Sequence, residues 1–585
     1  MPHVSPLTCV DHHVESDLLV TGGYDGRVIA WRDGVELWTT TFDDLVNEVR
    51  IDQTGTSIAV AAADAFAFVL DAGTGAHTAA LGPHGDDVNV VRWLPGGAGL
   101  VCTMDHVDPT VRVWERTAGG WSGRVLARHE SGVFGAAVSP DGTRVATAAE
   151  DRTARIWSLA TGEQLHVLHH PGDPETIDWS PDGSVIATGC DDDVCRLWSP
   201  ETGTVVLELK DATAAVRFVR FSNDGSRLLV GAYDATMRSY CTQTWTVVDE
   251  YRSPIQWERA ACVAGDRVVV GSFGGAPVFH PPFESRPVPP TFGINAVTVA
   301  DGRVVIGRDD GAVVDLLAAC VITRHESIVN TVAVSPDRRT VVSADYRGVM
   351  LLTTIDSGDA RTISVGHGGP INSAVWSADG RFVFTAGYDG HVRTWSRTGE
   401  PLDDWAAHHS PIKSLAWSTA DGGILVAGSS DGTLSAWNGR EERWRGSADD
   451  LVLVNAVAVA DDAGVVVSAS RDLHVRRWDV RTGELLERLP RVHRKSVKGI
   501  AVAPDGAHIV SGSYDGTAVS WTRPDDVAAA AAAGWSWRVL RLHGKPGVPG
   551  VALDARNLFT AGWDGTVARW SLDGRLVSRY TPPQG

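Results

Sequence analysis

The stretch that decides the fold is Tyr24–Trp31, which reads Tyr-Asp-Gly-Arg-Val-Ile-Ala-Trp. Variants of the pattern Tyr-Asp-Gly-x-x-x-x-Trp return along the whole chain about every 41 residues, a period expected of four-stranded repeat units. An Asp stands six residues before the Trp position in every unit except two, which carry Gly274 and Arg347. The series predicts fourteen units, with Trp positions at Trp31, Leu70, Trp114, Trp157, Trp198, Tyr240, His280, Leu316, Thr353, Trp395, Trp437, Trp478, Trp521 and Trp570.

Each unit is predicted to form four short strands separated by turns. In the fourth unit, small and apolar residues lead into the turn Ser139–Gly142, where the proline presets φ and the final glycine accepts a positive φ. The four strands of this unit are predicted at residues 132–138, 144–149, 153–157 and 164–168. No stretch holds a helical period, so we expect an all-β protein. Because a lone four-stranded sheet cannot bury two apolar faces, the pattern favours sheets packed radially in closed rings.

A second spacing accompanies the first. A His stands 22 residues before the turn Asp, and a Ser or Thr stands four residues before it. Five complete sets have this spacing: His3, Thr21, Asp25 and Trp31; His129, Thr147, Asp151 and Trp157; His170, Thr188, Asp192 and Trp198; His367, Thr385, Asp389 and Trp395; and His493, Ser511, Asp515 and Trp521. A sixth set has one residue fewer between its members and consists of His543, Thr560, Asp564 and Trp570.

These four residue types at these spacings resemble the WD40-repeat β-propeller family. The resemblance covers nearly the whole chain, although units 2 and 6 to 9 are degenerate. It implies that each set forms a structural hydrogen-bonded relay, which ties the loop before a blade to its second and third strands. A buried network of this kind stabilises a protein only when every member has a partner.

The same sets contain Ser or Thr, His and Asp, which are also the components of a hydrolase triad. Repetition argues against catalysis, because an enzyme needs one activated nucleophile, whereas this set recurs at equivalent positions. The chain also has no Walker loop, dinucleotide fingerprint, nucleophile elbow or metal-binding helix motif. We therefore predict no catalytic residues, no cofactor and no metal site, and we expect a protein that is not an enzyme.

The departures from the pattern cluster in units 6 to 9, and a proline-rich segment, Pro281–Pro290, lies between units 7 and 8. Prolines cannot supply the donors of a strand ladder, so this segment is predicted to be a stiff connector. The domain prediction is a seven-bladed propeller at residues 1–280, the connector at 281–290 and a second seven-bladed propeller at 291–585. One large ring and a division into eight and six units are the alternatives. The phase of the repeats leaves open whether strands are exchanged between the rings.

Composition restricts the expected partners, location and source of the protein. The net charge is −20, which disfavours binding to a phosphate backbone. No apolar run reaches the length of a membrane span, and no secretory signal is visible, so we expect a cytoplasmic protein. The seven cysteines have no regular spacing, and Cys190 and Cys195 are expected to be buried thiols. The scarcity of lysine beside arginine suggests a GC-rich, bacterial source. The insertion around Ala528–Ala533 is interpreted as a loop extension.

The family uses the propeller face that carries the turns between the second and third strands to hold peptides or proteins, and the residue before the turn Asp projects there. In the second ring these positions are Asp309, Tyr346, Tyr388, Ser430, Arg471, Tyr514 and Trp563; in the first they are Tyr24, Ala63, Val107, Glu150, Asp191, Tyr233 and Phe273. Tyr, Trp and Arg are enriched at interface hot spots. The predicted partner-binding residues are Tyr346, Tyr388, Arg471, Tyr514 and Trp563. The alternative is that turn aromatics only pack on the neighbouring blade.

The predicted function is a non-enzymatic scaffold that binds a protein or peptide through its propeller faces. An enzyme, or a small-ligand or metal site in a propeller channel, is the alternative. The basic run Arg491–Lys498 is the one feature that favours nucleic acid, and a solvated loop is the preferred account of it. Neither nucleic acid nor a membrane is expected as a partner. The partner's identity, the pathway and the oligomeric state do not follow from the sequence.

Overall fold

The computed structural model describes the chain except for residues 1–2, 4–6, 24, 34, 64, 106–107, 235, 253–257, 265–266, 273–277, 281–292, 301, 365, 368, 449–452, 524–533, 544–546 and 582–585. The chain divides into two compact units, Met1–Pro289 and Pro290–Gly585. The described residues form fourteen antiparallel sheets, of which thirteen have four strands and one has three. The predicted all-β fold of tandem propellers is confirmed. The count of fourteen full repeats and the boundaries at 280 and 291 stay predictions.

The first unit contains seven sheets, called blades 1 to 7 here. Their strands are β1 Leu7–His13, β2 Leu18–Gly23, β3 Arg27–Arg32 and β4 Val35–Thr41; β5 Val46–Ile51, β6 Ser57–Ala62, β7 Ala67–Asp71 and β8 His77–Leu81; β9 Val88–Trp93, β10 Gly99–Met104, β11 Thr110–Thr117 and β12 Gly120–Arg128; β13 Val133–Val138, β14 Arg144–Ala149, β15 Thr153–Ser158 and β16 Gln164–His169; β17 Pro174–Trp179, β18 Ile186–Cys190, β19 Cys195–Trp198 and β20 Val205–Leu209; β21 Val216–Phe221, β22 Arg227–Ala232, β23 Thr236–Cys241 and β24 Thr246–Arg252; and β25 Glu258–Ala264, β26 Arg267–Ser272 and β27 Val278–His280.

The second unit contains blades 8 to 14. Their strands are β28 Ile294–Ala300, β29 Arg303–Arg308, β30 Ala312–Asp315 and β31 Cys320–Arg324; β32 Val329–Val334, β33 Thr340–Asp345, β34 Val349–Thr354 and β35 Ala360–Ser364; β36 Ile371–Trp376, β37 Phe382–Gly387, β38 His391–Ser396 and β39 Pro401–Ala406; β40 Ile412–Ser418, β41 Ile424–Ser429, β42 Leu434–Asn438 and β43 Glu441–Gly446; β44 Val454–Ala460, β45 Val465–Ser470, β46 Val475–Asp479 and β47 Leu485–Arg488; β48 Val497–Val502, β49 His508–Ser513, β50 Ala518–Thr522 and β51 Ser536–Leu540; and β52 Gly550–Leu553, β53 Asn557–Ala561, β54 Val567–Ser571 and β55 Leu576–Tyr580. One-turn 3-10 helices stand at Pro95–Gly97 and Ala420–Gly422.

Each unit closes on itself. In the first unit the inner strand of every blade contacts the inner strand of the next, and β25 contacts β1. The second unit repeats this arrangement, with β52 against β28. Every described sheet consists of strands that are consecutive in the sequence. Each unit therefore forms a closed ring, and this radial closure leaves only short sheet edges.

The hairpin between the first two strands of blade 4 shows why the repeat folds as it does. Gly142 takes φ +68°, and its N–H donates to the carbonyl of Ser139 at 2.8 Å. The Ser139 hydroxyl accepts from the backbone N–H of Arg144 at 2.9 Å and donates to Asp141 at 2.5 Å. The turn thus satisfies its own polar groups, which fixes the register of β13 and β14.

The core lies between consecutive blades. Ala148 and Ile156 of blade 4, for example, pack against Ile177 and Trp198 of blade 5 in one fully apolar layer. Burial of such surface contributes roughly 25 cal/mol per Å² to stability. Equivalent layers occur at other blade interfaces of both units. Each blade buries its two faces against the neighbouring blades. This packing involves the faces of the sheets, so the ends of the inner strands remain available to build a site.

Polar side chains cover the open edges of the inner strands. An inner strand has no hydrogen-bonded neighbour on its channel side, so its N–H groups need other acceptors. The Glu48 carboxylate accepts from the N–H of Val91 at 3.0 Å in the next blade. In the second unit, Ser373 accepts from the N–H of Leu415 at 3.0 Å. These bonds link successive blades around the channel.

Candidate functional site

Five of the six predicted relays are continuous chains of hydrogen bonds. In each, the His Nδ1 lies 2.9–3.3 Å from the turn Asp, and the His Nε2 lies 2.7–3.1 Å from the hydroxyl. The Trp indole N–H donates to the same hydroxyl at 2.8–3.0 Å. The structure brings together His3, Thr21, Asp25 and Trp31; His129, Thr147, Asp151 and Trp157; His367, Thr385, Asp389 and Trp395; His493, Ser511, Asp515 and Trp521; and His543, Thr560, Asp564 and Trp570.

The hydroxyl at the centre of each of these relays has no access to solvent. The side chains concerned are fully buried in the second strand of their blades: Thr21, Thr147, Thr385, Ser511 and Thr560. In blade 1 the Asp25 carboxylate lies 2.9 Å from the His3 Nδ1 and also accepts from the backbone N–H of Arg27 at 3.2 Å. The turn Asp therefore fixes the turn as well as the histidine. A buried hydroxyl with two partners is a structural element and not an exposed nucleophile.

The geometry favours one arrangement of protons. A neutral His can donate from Nδ1 to the carboxylate and accept at Nε2 from the hydroxyl, which in turn accepts from the indole. Burial alone would raise the pKa of Asp389, but the hydrogen bond from His367, together with the charge of Arg393, outweighs it and lowers the pKa to about 2. Burial lowers the pKa of His367. The relay is therefore a structural clamp with every member partnered.

The set around His170 departs from the prediction. Its Nε2 lies 2.9 Å from Thr188, and Trp198 donates to Thr188 at 2.8 Å, as expected. The Nδ1 donates instead to the carbonyl of Leu168 at 3.0 Å. Arg196 donates two hydrogen bonds, of 2.9 and 2.6 Å, to the Asp192 carboxylate. Asp192 is thus bound to an arginine and not to the histidine, whose Nδ1 is occupied by the Leu168 carbonyl.

Two further relays escaped the sequence pattern. In blade 9, His325 lies 2.8 Å from Ser343 and 3.1 Å from Asp345, which stands two residues earlier than the turn Asp of other blades. In blade 11, His408 lies 2.9 Å from Asp431 and 2.7 Å from Ser435. Ser435 belongs to the third strand, and it also accepts from the Trp437 indole at 2.7 Å. The sequence signals were a His and Ser 18 residues apart in blade 9 and a second His beside the expected one in blade 11.

Other blades replace the histidine. In blade 6, the Tyr240 hydroxyl donates directly to Asp211 at 2.8 Å. In blades 8 and 12, buried arginines take over, with Arg308 at 2.7 Å from Asp310 and Arg476 at 2.5 and 3.0 Å from Asp472. These units therefore keep a hydrogen bond or ion pair to an aspartate, although tyrosine or arginine replaces the histidine. None of these ties resembles a catalytic site, because each hydroxyl or carboxylate is engaged within its own blade.

The predicted partner-binding residues lie at the end of the second unit where the inner strands begin. The backbone N–H of each donates to the carbonyl just before an inner strand, from Tyr346 to Ile328, Tyr388 to Pro370, Arg471 to Leu453, Tyr514 to Ser496 and Trp563 to Gly547. All five side chains are partly exposed. We call Tyr346, Tyr388, Arg471, Tyr514 and Trp563 the second-unit rim.

A second layer of residues lies inside the rim. These residues follow the first residue of six of the seven inner strands, β52 being the exception, and we call them the second-unit mouth: Asn295, Asn330, Asn372, Lys413, Asn455 and Lys498. The amides of Asn372 and Asn455 donate to the carbonyls of Ile412 and Val497 in the next blade at 2.8 and 2.9 Å. The mouth is therefore held by bonds between blades. The sequence interpretation did not identify these residues.

Rim and mouth contact each other. The Lys413 Nζ lies 4.1 Å from the ring centre of Tyr388, and the Lys498 Nζ lies 5.2 Å from that of Tyr514. The rings of Tyr514 and Trp563 are 5.3 Å apart. The Trp563 indole donates to Asn295 at 2.8 Å, which joins the last blade of the unit to its first. The packing alternative therefore holds in part for Trp563, although its side chain remains partly exposed.

The same end of the first unit is acidic. Its rim carries Glu150 and Asp191, whereas Tyr24, Val107 and Phe273 lie outside the described residues. Arg217, at the mouth position of blade 6, pairs with Glu175, lies 3.3 Å from Asp191 and stacks 4.7 Å from the ring centre of Tyr233. Burial and the charge of Glu150 raise the pKa of Asp173 to about 7. At the described rim positions, the first unit thus carries the carboxylates Glu150 and Asp191, whereas the second carries Arg471.

The remaining candidates for chemistry are structural where they are described. Cys190 and Cys195 are buried free thiols, as predicted, and burial raises the pKa of Cys195 to about 12. Among the described residues, no group of three or more His, Cys, Asp and Glu is placed to hold a metal ion. No helix in the described part of the chain is long and apolar enough to cross a membrane. In the basic run 491–498, only Arg491 and Arg494 are exposed. The connector Pro281–Pro290 and the insertion Ala528–Ala533 lie outside the described residues.

Comparison with known proteins agrees with this geometry. The WD40 family, described as WD domain, G-beta repeat, matches residues 2–32, 120–158, 162–199, 203–240, 360–396, 399–438 and 483–522. The chain is 31% identical to the Periodic tryptophan protein 2 homolog of Caenorhabditis elegans over 28% of this chain and 18% of that protein. It is 25% identical to the Ribosome biogenesis protein WDR12 homolog of Chlamydomonas reinhardtii over 32% and 49%. It is 22% identical to the Target of rapamycin complex subunit wat1 of Schizosaccharomyces pombe over 35% and 67%.

The partial coverage of these relatives limits which of their properties can be proposed for this chain. The matched stretch spans less than a fifth of the first relative and about half of the second. None of the three names is that of an enzyme. All three organisms are eukaryotes, so the bacterial source stays a prediction. The cytoplasmic location also stays a prediction.

Proposed function

Because this chain is a WD40-repeat protein, a family whose members typically act as interaction scaffolds, we propose that it is a non-enzymatic scaffold whose second-unit rim binds a protein or peptide partner. The rim residues in question are Tyr346, Tyr388, Arg471, Tyr514 and Trp563. The observation that carries the proposal is the pair Tyr514 and Trp563, whose rings lie 5.3 Å apart and stay partly exposed at the channel end of the unit.

The physical argument concerns pre-organisation. Aromatic rings offer a large contact area at a modest cost in side-chain entropy. The indole of Trp563 is already fixed by its 2.8 Å hydrogen bond to Asn295, and the ring of Tyr514 is fixed by Trp563 on one side and Lys498 on the other. A partner that covers these rings would gain apolar burial without ordering them first.

The test is capture of partners from the source organism by the full chain, followed by measurement of the partner's dissociation constant. Truncation in the double variant Y514A/W563A should weaken binding at least tenfold, which corresponds to about 1.4 kcal/mol. Trp537 is the matched control, because its side chain is 49% exposed on the outer strand β51, away from the rim. The W537A variant should bind as the wild type does.

Stability must be measured in parallel, because Trp563 also joins blades 14 and 8. The W563F variant keeps an aromatic face but loses the indole donor. Partner binding retained by W563F and lost by Y514A/W563A would support a contact role. Binding that survives in Y514A/W563A but is lost on mutating Glu150 and Asp191 would move the site to the first unit.

The alternative is a small-ligand site, and the described residues offer a candidate for it. A cavity of about 290 Å³ lies beside blade 6, lined by Asp211, Thr213, Asp234, Thr236, Arg238, Val247 and Glu250. Arg238 lies 3.0 Å from Asp234 and 3.2 Å from Glu250. Arg238 is thus already engaged by two of the three carboxylates, and the third, Asp211, accepts from the Tyr240 hydroxyl, so the cavity offers weaker support than the rim.

A further inference from the structure

The first unit carries charged side chains halfway along its inner strands. The fifth residues of its seven inner strands, in chain order, are Asp11, Arg50, Arg92, Ala137, Asp178, Arg220 and Cys262. The fifth residues of the inner strands β28, β32, β36, β40, β44 and β48 of the second unit carry no charge: Thr298, Ala333, Val375, Ala416, Ala458 and Ala501. Because both units close as rings, closure does not require charges at this level.

The charged side chains of the first unit meet across its channel. Arg220 of blade 6 donates to the Asp11 carboxylate of blade 1 at 2.9 Å, although blade 7 stands between these two blades in the ring. The Arg50 guanidinium lies 3.6 Å from the same oxygen of Asp11 and donates to Glu48 at 2.5 Å. The other oxygen of Glu48 accepts from Arg92. Three arginines and two carboxylates thus form one connected chain, which we call the channel belt.

The carboxylates at this level do not balance the arginines of the channel belt. Asp11 and Glu48 also accept from backbone N–H groups of the next blade, at 2.9 and 3.0 Å. Asp178, the third carboxylate, accepts from the backbone N–H of Phe221 at 2.7 Å, and within the described residues it forms no ion pair with these arginines. The connected chain therefore contains one more cation than anions.

The arginines also keep hydrogen-bond donors that the described residues do not satisfy. Each guanidinium has five N–H groups, yet each of the three forms hydrogen bonds through a single nitrogen. The side chains of Arg92 and Arg220 are 20% and 22% exposed, so solutes in the channel can reach them. Burial and the charge of Arg50 lower the pKa of Arg92, which indicates that its positive charge is not fully compensated. An anion beside Arg92 would relieve this repulsion.

We propose that the channel of the first unit binds a phosphoryl group, as inorganic phosphate or as a phosphate monoester, at Arg50, Arg92 and Arg220. A phosphoryl group presents three oxygens to donors that come from three blades, whereas a carboxylate presents two. Guanidinium groups bind such oxygens through short, charge-assisted hydrogen bonds. The net charge of −20 repels anions from the protein as a whole, so binding depends on this local arrangement.

The test is isothermal titration calorimetry of the full chain, in a buffer without phosphate and at constant ionic strength. Sodium phosphate, glycerol 3-phosphate and sodium acetate are the three probes. We expect saturable binding of a phosphoryl compound at one site and at least tenfold weaker binding of acetate. The tighter of the two phosphoryl probes distinguishes free phosphate from a monoester as the source of the group.

Two substitutions should change the affinity in opposite directions. R92Q should weaken phosphoryl binding at least tenfold, because it removes a cation of the channel belt. D178N should tighten binding at least threefold, because the amide oxygen can still accept from the Phe221 N–H while the nearby negative charge is gone. R92K keeps the charge but loses the planar donor fork, so its affinity should lie between those of the wild type and R92Q.

The control variant is R443Q, which removes an exposed arginine of the second unit that is paired with Glu441 at 3.3 Å. It should bind the probes within twofold of the wild type, and thermal melting without phosphate checks that each variant folds. Saturable binding that is absent from the wild type, equal in folded R92Q or stronger for acetate would overturn the proposal. Unchanged or weaker binding by D178N would overturn it even if R92Q does not fold. Each of these results leaves the second-unit rim untouched, because the channel belt lies in the other unit.

Discussion

Replacing Ser511 with alanine should lower the free energy of unfolding more than the same replacement at Ser468. Both serines are fully buried in the second unit, and both accept a Trp indole at 2.8–2.9 Å. Ser511 also lies 2.8 Å from the His493 Nε2, whereas the loop before blade 12, residues 447–453, contains no histidine to bond Ser468. The two replacements remove the same atom from the same position of two blades, so the pair isolates the histidine bond.

The magnitude follows from the groups left without a partner. S468A leaves one buried indole N–H unsatisfied, and S511A leaves an indole N–H and an imidazole nitrogen. Each buried polar group without a partner costs about 1–3 kcal/mol. We therefore expect S511A to be less stable than S468A by about 1–3 kcal/mol. S511T should behave as the wild type, because Thr21 and Thr147 perform this role in the relays of His3 and His129.

The assay is urea unfolding of the full chain followed by circular dichroism, with the midpoint and slope compared among the three variants. Since all substitutions lie in the second unit, the same transition is compared each time. Equal losses for S511A and S468A would show that the histidine adds nothing to the clamp. A change in slope without a change in midpoint would mean that the variants altered the unfolded state, and the relay argument would then fail.

Two further predictions concern acidity and the division of the chain. Burial and the nearby charge of Arg112 lower the pKa of His84 to about 4, so the unfolded chain binds its proton at a higher pH than the folded chain does. Stability should consequently fall as the pH drops from about 6.5 towards 4, and H84L should lose less than the wild type over that range; parallel curves would contradict this. A protease site placed within residues 281–290 should release two fragments that each melt cooperatively, because the inner strands of each unit close on themselves. A fragment without β-sheet circular dichroism would refute the independence of the rings.

Local regularities of the fold were predictable from the sequence. The Ser139–Gly142 turn, the strand order of each blade and most relays rest on interactions between residues at fixed separations. A turn needs a glycine at a positive φ, and a relay needs a hydroxyl opposite a histidine, so spacing alone identifies both. The relay prediction failed at Asp192, because the His170 Nδ1 donates to the backbone carbonyl of Leu168, and Arg196 supplies the donors to the carboxylate instead.

The missed relays show where spacing stops being informative. Ser435 performs the task of the absent second-strand hydroxyl from the neighbouring strand, and Asp345 reaches His325 from two residues earlier. A hydrogen bond requires an atom within about 3 Å and leaves open which residue supplies it. Adjacent strands lie about 5 Å apart, so a partner can change strands without moving far in space. A pattern defined along one strand cannot register such an exchange.

The mouth residues lay beyond sequence interpretation for a different reason. Each is a single residue per blade, and its meaning depends on residues of other blades: Lys413 of blade 11 lies over Tyr388 of blade 10. Ring closure converts positions about 41 residues apart into neighbours around one opening, where like charges add. An isolated lysine in an acidic chain reads as a solvated surface residue. Only the closed ring shows that Lys413 and Lys498 belong to one opening. The surroundings of these residues therefore depend on the assembled ring, whereas the fold is encoded within each repeat.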